Sequence, residues 1–183
     1  NLINKNSMGV IFYCVAGEGM GHATRSEVVI ENLMKKYKIV IFSYDKGYEY
    51  LKTRFEKEAL DVVNIVGLNL IYEKNEFKFG KSVVAERKKF NKLITENFPK
   101  YLKYIVKYDP FLIITDFEPI SSNLARILKI PLISIDNMGG FTKGKIPRNF
   151  SKHWQVKFLR SLVRLRGDYD FIVSLFKIPL KNK

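Results

Sequence analysis

The residues best placed to do chemistry begin with Gly17-Glu18-Gly19-Met20-Gly21-His22, followed by Ala23-Thr24-Arg25-Ser26. Alternating glycines let a backbone take positive φ and let a ligand come close. The free N–H groups of such a loop, and of a helix that starts there, favour an anion, typically phosphate. His22 adds an imidazole, a side chain able to give or take a proton. Two more polar stretches follow apolar runs: Asp116-Phe117-Glu118-Pro119 and Asp136-Asn137-Met138-Gly139-Gly140. Asp116 and Glu118 are the carboxylates that could act as a base. Each candidate has a plainer role. His22 could cap a helix, and Asp116 is expected to cap the helix that follows it, with Glu118 left open. Asp136-Asn137 suits a turn before the glycine pair, and Arg25, one turn into the helix, faces either a crevice or solvent. His153 reads as a surface histidine.

Two familiar phosphate motifs fail. The dinucleotide fingerprint needs glycine where His22 stands. The Walker A pattern needs a terminal G-K-[ST], and the loop has no lysine. No metal is expected, since two histidines and one cysteine lie far apart in sequence. No cofactor is expected either.

These residues need a scaffold, and the sequence supplies an α/β rhythm. An apolar strand over residues 9–16 leads into the glycine loop, and a helix over 22–36 carries Val28, Val29, Leu33 and Met34 at buried-face spacing. Strands follow at 38–44 and 61–66, with a helix at 47–57 between them. Residues 67–81 read as a long loop, which is usually functional or mobile. A helical region over 82–108 is interrupted by Pro99, so two helices or one kinked helix are expected. Strands at 111–115 and 130–135 flank a helix at 120–128, with Pro119 suited to its first turn. A second long loop spans 141–149, a helix spans 150–166, and a sixth short strand spans 169–174. This predicts one Rossmann-like domain with a parallel sheet flanked by helices, in strand order 3-2-1-4-5 with the sixth strand beyond the fifth. The loops after strands one, four and five then meet at one sheet edge, where His22 and the three loop glycines are expected to face an open crevice.

The chain has 183 residues, enough for one good core, and 46% of them are hydrophobic, a globular composition. Cys14 is the only cysteine, so no disulfide forms within the chain, which fits a cytoplasmic setting. Residues 1–8 read as a leader or an expression remnant with Met8 as candidate start, and no apolar run approaches the length of a membrane span. Net charge is +14, from 32 Lys and Arg against 18 Asp and Glu, which points to an anionic partner. Nucleic acid fits poorly, because no recognised module is present and the lysines are scattered over several helices. In the 150–166 helix Trp154, Phe158, Leu162 and Leu165 share one stripe, beside a basic stripe of His153, Lys157, Arg160 and Arg164. That helix either packs on the sheet or lies on an anionic membrane surface.

The glycine–histidine loop with Gly-Glu-Gly-Met-Gly-His-Ala-Thr-Arg-Ser resembles the first glycine loop of GT-B glycosyltransferases of the family-28 type. The later Thr115-Asp116-Phe117-Glu118-Pro119, Ala125-Arg126, Ile130-Pro131-Leu132 and Asp136-Asn137 resemble the same archaeal and bacterial branch. The resemblance implies two Rossmann-like domains, of which this chain has room for the acceptor-side N-terminal one, over residues 9–176. Residues 177–183 would begin a linker to a donor-binding domain, and this half alone is expected to lack transferase activity. The implied reaction moves a sugar from a nucleotide-sugar donor to an acceptor hydroxyl, with a lipid-linked acceptor as one option. The resemblance makes His22 the candidate base or acceptor-orienting group, with Glu118 as the alternative. Gly17, Gly19, Gly21, Arg25, Asp116, Asn137 and Gly139 would contact substrate. The competing reading is a nucleotide- or phosphate-binding module without transferase activity. A transferase would work in the cytoplasm, peripheral on the inner face of the cell membrane if its acceptor is lipid-linked.

Overall fold

The computed structural model describes residues 8–67, 72–73, 76–77, 79–135 and 171–173. Its sheet is built on β1, Val10–Val15, whose six residues are all buried. A strand covered on both faces has no polar side to show, which is why the sequence here is a continuous apolar run. Odd and even positions of β1 feed different cores. Ile11, Tyr13 and Val15 pack with Ile30 of α1, Met20–Leu33, and with Leu51 of α2, Asp45–Arg54. Phe12 and Cys14 pack on the opposite face with Leu93 and Tyr101 of α3, Phe79–Tyr108, and Leu124 of α4, Pro119–Leu128.

The other strands of the sheet are β2 (Lys38–Ser43), β3 (Asp61–Asn64), β6 (Leu112–Asp116), β7 (Leu132–Ile135) and β8 (Phe171–Val173). The order is β3-β2-β1-β6-β7-β8 and every pairing is parallel, as the sequence rhythm predicts. The switch point lies between β1 and β6. Their register pairs Val15 with Asp116 and so sets the end of β6 beside the glycine loop.

One expectation changes and another narrows. Residues 67–81 are not simply a loop: β4 (Tyr72–Glu73) and β5 (Glu76–Phe77) form an antiparallel pair, and α3 starts at Phe79. Strands of two residues leave no alternation for a sequence to display. Pro99, where the sequence leaves two helices or one kinked helix open, lies inside a single helix, so the two-helix alternative falls. Tertiary anchors hold the chain through the proline. The Asn97 amide donates to Val66 O and accepts from Val66 N, both at 2.7 Å, and Tyr101 is wholly buried against Phe42 at 4.3 Å between ring centroids. The loop at 141–149, the helix at 150–166 and the Asp136–Gly140 turn lie outside the described residues.

Candidate active site

His22, Arg25 and Ser26 share one face of α1, because residues three and four apart on a helix are neighbours. All three converge on Asp116, the last residue of β6, whose side chain has no exposure. His22 Nδ1 lies 2.7 Å from Asp116 Oδ1. Arg25 Nε donates to Oδ2 at 2.6 Å, and Arg25 Nη2 donates to Oδ1, so the arginine grips the carboxylate with both arms. Ser26 Oγ donates to Oδ2 at 3.1 Å. Burial pulls the Asp116 carboxyl upward, but the bonds from Arg25 and His22 outweigh it and hold the group below the usual carboxylate range. Asp116 is therefore an anion at neutral pH.

That anion fixes the tautomer of His22. An unprotonated Nδ1 would set a lone pair against a carboxylate oxygen 2.7 Å away. With Nδ1–H donating to Oδ1, the 2.8 Å approach of Arg25 Nη2 to His22 Nδ1 is two donors meeting at one acceptor. In the neutral ring the lone pair then sits on Nε2, which has no hydrogen-bond partner among the described residues. The His22 side chain is 29% exposed. The Phe117 ring stacks on the imidazole, with centroids 5.4 Å apart and planes 23° from parallel.

The three glycines are not equivalent. A Cβ on Gly17 would lie 1.6 Å from the Tyr44 carbonyl oxygen, so this glycine is required by the close crossing of two backbones. Gly17 O also accepts from Gly47 N at 3.2 Å. A Cβ on Gly19 or Gly21 would meet nothing within 4 Å. Gly19 is the N-cap of α1, with φ of −144°, which any residue adopts. No side chain caps α1 and no acidic residue stands in its first turn, among the described residues.

The match with known proteins follows the same lines. A family model described as Glycosyl transferase family 1 matches residues 9–183. The chain belongs to that family. Among solved structures, MurG of Acinetobacter baumannii aligns with a TM-score of 0.54 at 11% identity, over 96% of this chain and 43% of that one. The spinosyn rhamnosyltransferase SpnG, complexed with thymidine diphosphate, aligns with a TM-score of 0.52 at 13% identity, over 91% and 45%. The chain thus has the fold of the N-terminal portion of a GT-B glycosyltransferase, and spans less than half the length of these structures. No curated protein sequence matches it.

In this family member the cap expected of Asp116 falls to Glu118, whose role the sequence leaves open. Glu118, not Asp116, caps α4: it accepts from Ile120 N at 3.0 Å and Ser121 N at 2.7 Å. Tyr101 OH donates to it at 3.1 Å. Burial pushes the Glu118 carboxyl up despite those bonds, and its exposure is 1%. Arg25, for which the sequence left crevice or surface open, is paired to Asp116. Asn137 and Gly139 lie outside the described residues. Sequence reasoning gave no role to Ser26 or Phe117. The four-residue step from His22 was the available signal for Ser26, whereas nothing in the sequence places Phe117 on a ring 95 residues away. Among the described residues no helix is long and apolar enough to cross a membrane, and no three metal-ligating side chains cluster.

Proposed function

We propose that this chain is the acceptor-side part of a glycosyltransferase that moves a sugar from a nucleotide-sugar donor to an acceptor hydroxyl, with His22 as the general base. The observation that carries this reading is the His22–Asp116 pair, a partly exposed imidazole tied at Nδ1 to a buried carboxylate, with Nε2 unengaged among the described residues. The acceptor oxygen attacks the anomeric carbon and its proton passes to Nε2. The bond from that carbon to the diphosphate oxygen breaks, and the nucleoside diphosphate leaves with the electron pair. Asp116 stabilises the imidazolium that forms, as a carboxylate does behind any histidine base. The uncapped N–H groups of α1 and the empty space over Gly19 and Gly21 suit the diphosphate or the acceptor. Arg25 acts through Asp116. Glu118 has no catalytic part in this reading, since both its oxygens serve the α4 cap and Tyr101. Asn137 and Gly139 remain substrate contacts on sequence grounds alone, and most donor contacts belong to a second domain.

An anionic membrane surface and a lipid-linked acceptor extend the proposal, and a net charge of +14 supports them. Sedimentation with anionic vesicles at low and high salt tests that extension; indifference at low salt removes it. The central test is turnover by the intact enzyme. His22→Ala is expected to lower it roughly a hundredfold or more, as loss of a general base does. Unchanged turnover would leave His22 a helix-terminal residue and favour a binding module, which calorimetry with a nucleotide-sugar would then identify.

A further inference from the structure

We propose that Phe117 is a positioning residue, held in a left-handed backbone conformation so that its ring fixes the plane of the His22 imidazole. This rests on the base role proposed for His22. Phe117 has φ of 65°. For a bulky residue that is an outlier, and such outliers persist only where the surroundings over-determine them. The other described non-glycine residues with positive φ are Asp45, Ala59, Asp109 and Lys129. None of them is aromatic, and none touches the site.

Both neighbours of Phe117 are clamped. On one side Ala16 N donates to Asp116 O at 2.9 Å, and the Asp116 carboxylate is gripped by His22, Arg25 and Ser26. On the other side Thr115 Oγ1 donates to Glu118 O at 2.9 Å, and the Glu118 carboxylate holds the first turn of α4. An isolated antiparallel bridge to Val15 holds Phe117 itself. Between these fixed points the chain takes the strained turn, and the ring lands on His22.

The stacking supplies a constraint the hydrogen bond cannot. A bond at Nδ1 holds the imidazole only while it is made; whenever it opens, the ring can swing about its Cα–Cβ and Cβ–Cγ bonds. A flat aromatic face against the ring stops that swing, and Nε2, on the far side of the ring, is then fixed relative to β6. Apolar volume alone would not do this.

The test uses His153→Gln protein, in which His22 is the one histidine left. NMR follows solvent exchange of the His22 Nδ1 proton in Phe117→Tyr, Phe117→Leu and Phe117→Gly. Tyr keeps the ring, Leu keeps apolar volume, and Gly relieves the backbone. Exchange is expected to match the parent in the Tyr variant and to quicken about tenfold or more in the Leu and Gly variants, which open the pair more often. The Gly variant should melt within a few degrees of the parent, since lost packing is offset by relieved strain. In the intact enzyme, kcat of the Leu and Gly variants should fall about tenfold with the donor KM unchanged, because only alignment is lost. If Phe117→Leu exchanges as slowly as the parent, the ring is mere filling and the proposal falls, whatever turnover does. If exchange quickens while kcat holds, positioning stands and the base role of His22 falls instead.

Discussion

Asp116→Asn is the most informative single change, because one carboxylate serves three side chains. An amide offers one acceptor and one donor in place of two acceptors. If its oxygen takes Arg25, its NH₂ faces His22 Nδ1 and can only donate there. The proton must then move to Nε2, where the lone pair was, and the imidazole can no longer accept from a hydroxyl. Turnover should fall at least a hundredfold; in serine-protease triads the equivalent change costs about 10⁴. Stability should fall too. Removing one partner of a fully buried pair costs roughly 3–5 kcal/mol, but Arg25 and His22 are 28% and 29% exposed and can turn toward water, which lowers the loss to about 2–3 kcal/mol. For a chain of this size that is a drop of about 4–12 °C in Tm. Acid adds a signed check. The folded Asp116 carboxyl is depressed, so its contribution is present above the unfolded value of about 4 and is lost as pH falls through the folded value. Glu118, raised in the fold, acts in the opposite sense, its contribution being lost as pH rises through its folded value. The difference curve between parent and Asp116→Asn removes Glu118 and should shrink toward low pH. Finally, Asp116→Asn should add little to His22→Ala, since the two act as one unit. A variant with Tm within a degree and turnover within threefold of the parent would refute the whole account of the cluster.

The glycines give a second contrast. Gly17→Ala should cost about 3 kcal/mol or more, or prevent folding, because its Cβ would overlap the Tyr44 carbonyl. Gly21→Ala, within α1 and facing empty space, should stabilise by about 0.5–1 kcal/mol in urea titration while weakening substrate binding in the intact enzyme. Cys14 is wholly buried, and burial together with the Glu118 charge pushes its thiol far up, so a thiol reagent should label it only after denaturation.

How much of this was legible in the sequence depends on length scale. Apolar runs revealed the six parallel strands and their order, because a strand buried on both faces must be apolar throughout and crossovers have one hand. The short pair Tyr72–Glu73 and Glu76–Phe77 left no period to read. At Pro99 the sequence left one helix or two open, because local propensity cannot see Asn97 fastened to Val66. At the site, the glycine–histidine loop and the Asp-x-Glu-Pro segment were found, but which carboxylate capped and which paired was not. Both are acidic residues just before a helix. The outcome turns on register: pairing Val15 with Asp116 turns that side chain toward α1, and Glu118, two residues on, sits at the N-cap of α4.

That division of labour bears on where a ligand would bind. Two helices, α1 and α4, begin at the same sheet edge, each after a strand of the switch point. Each presents backbone N–H groups in need of acceptors. At α4 the need is met from within, by the two Glu118 oxygens on Ile120 N and Ser121 N, and the whole arrangement is buried. At α1 the described residues supply no side-chain cap, and the space over Gly19 and Gly21 is open. Neither glycine is held in a conformation that demands glycine, so the fold by itself would tolerate alanine at both. A glycine that the backbone does not need, beside N–H groups that no side chain serves, makes sense if an acceptor arrives from outside. His22, in the first turn of α1, is already oriented by Asp116. A diphosphate oxygen or a sugar hydroxyl at the mouth of α1 would complete the helix as Glu118 completes α4. The calorimetric prediction follows: a nucleoside diphosphate or acceptor that binds this chain should lose affinity in Gly19→Val and Gly21→Val and keep it in Glu118→Gln.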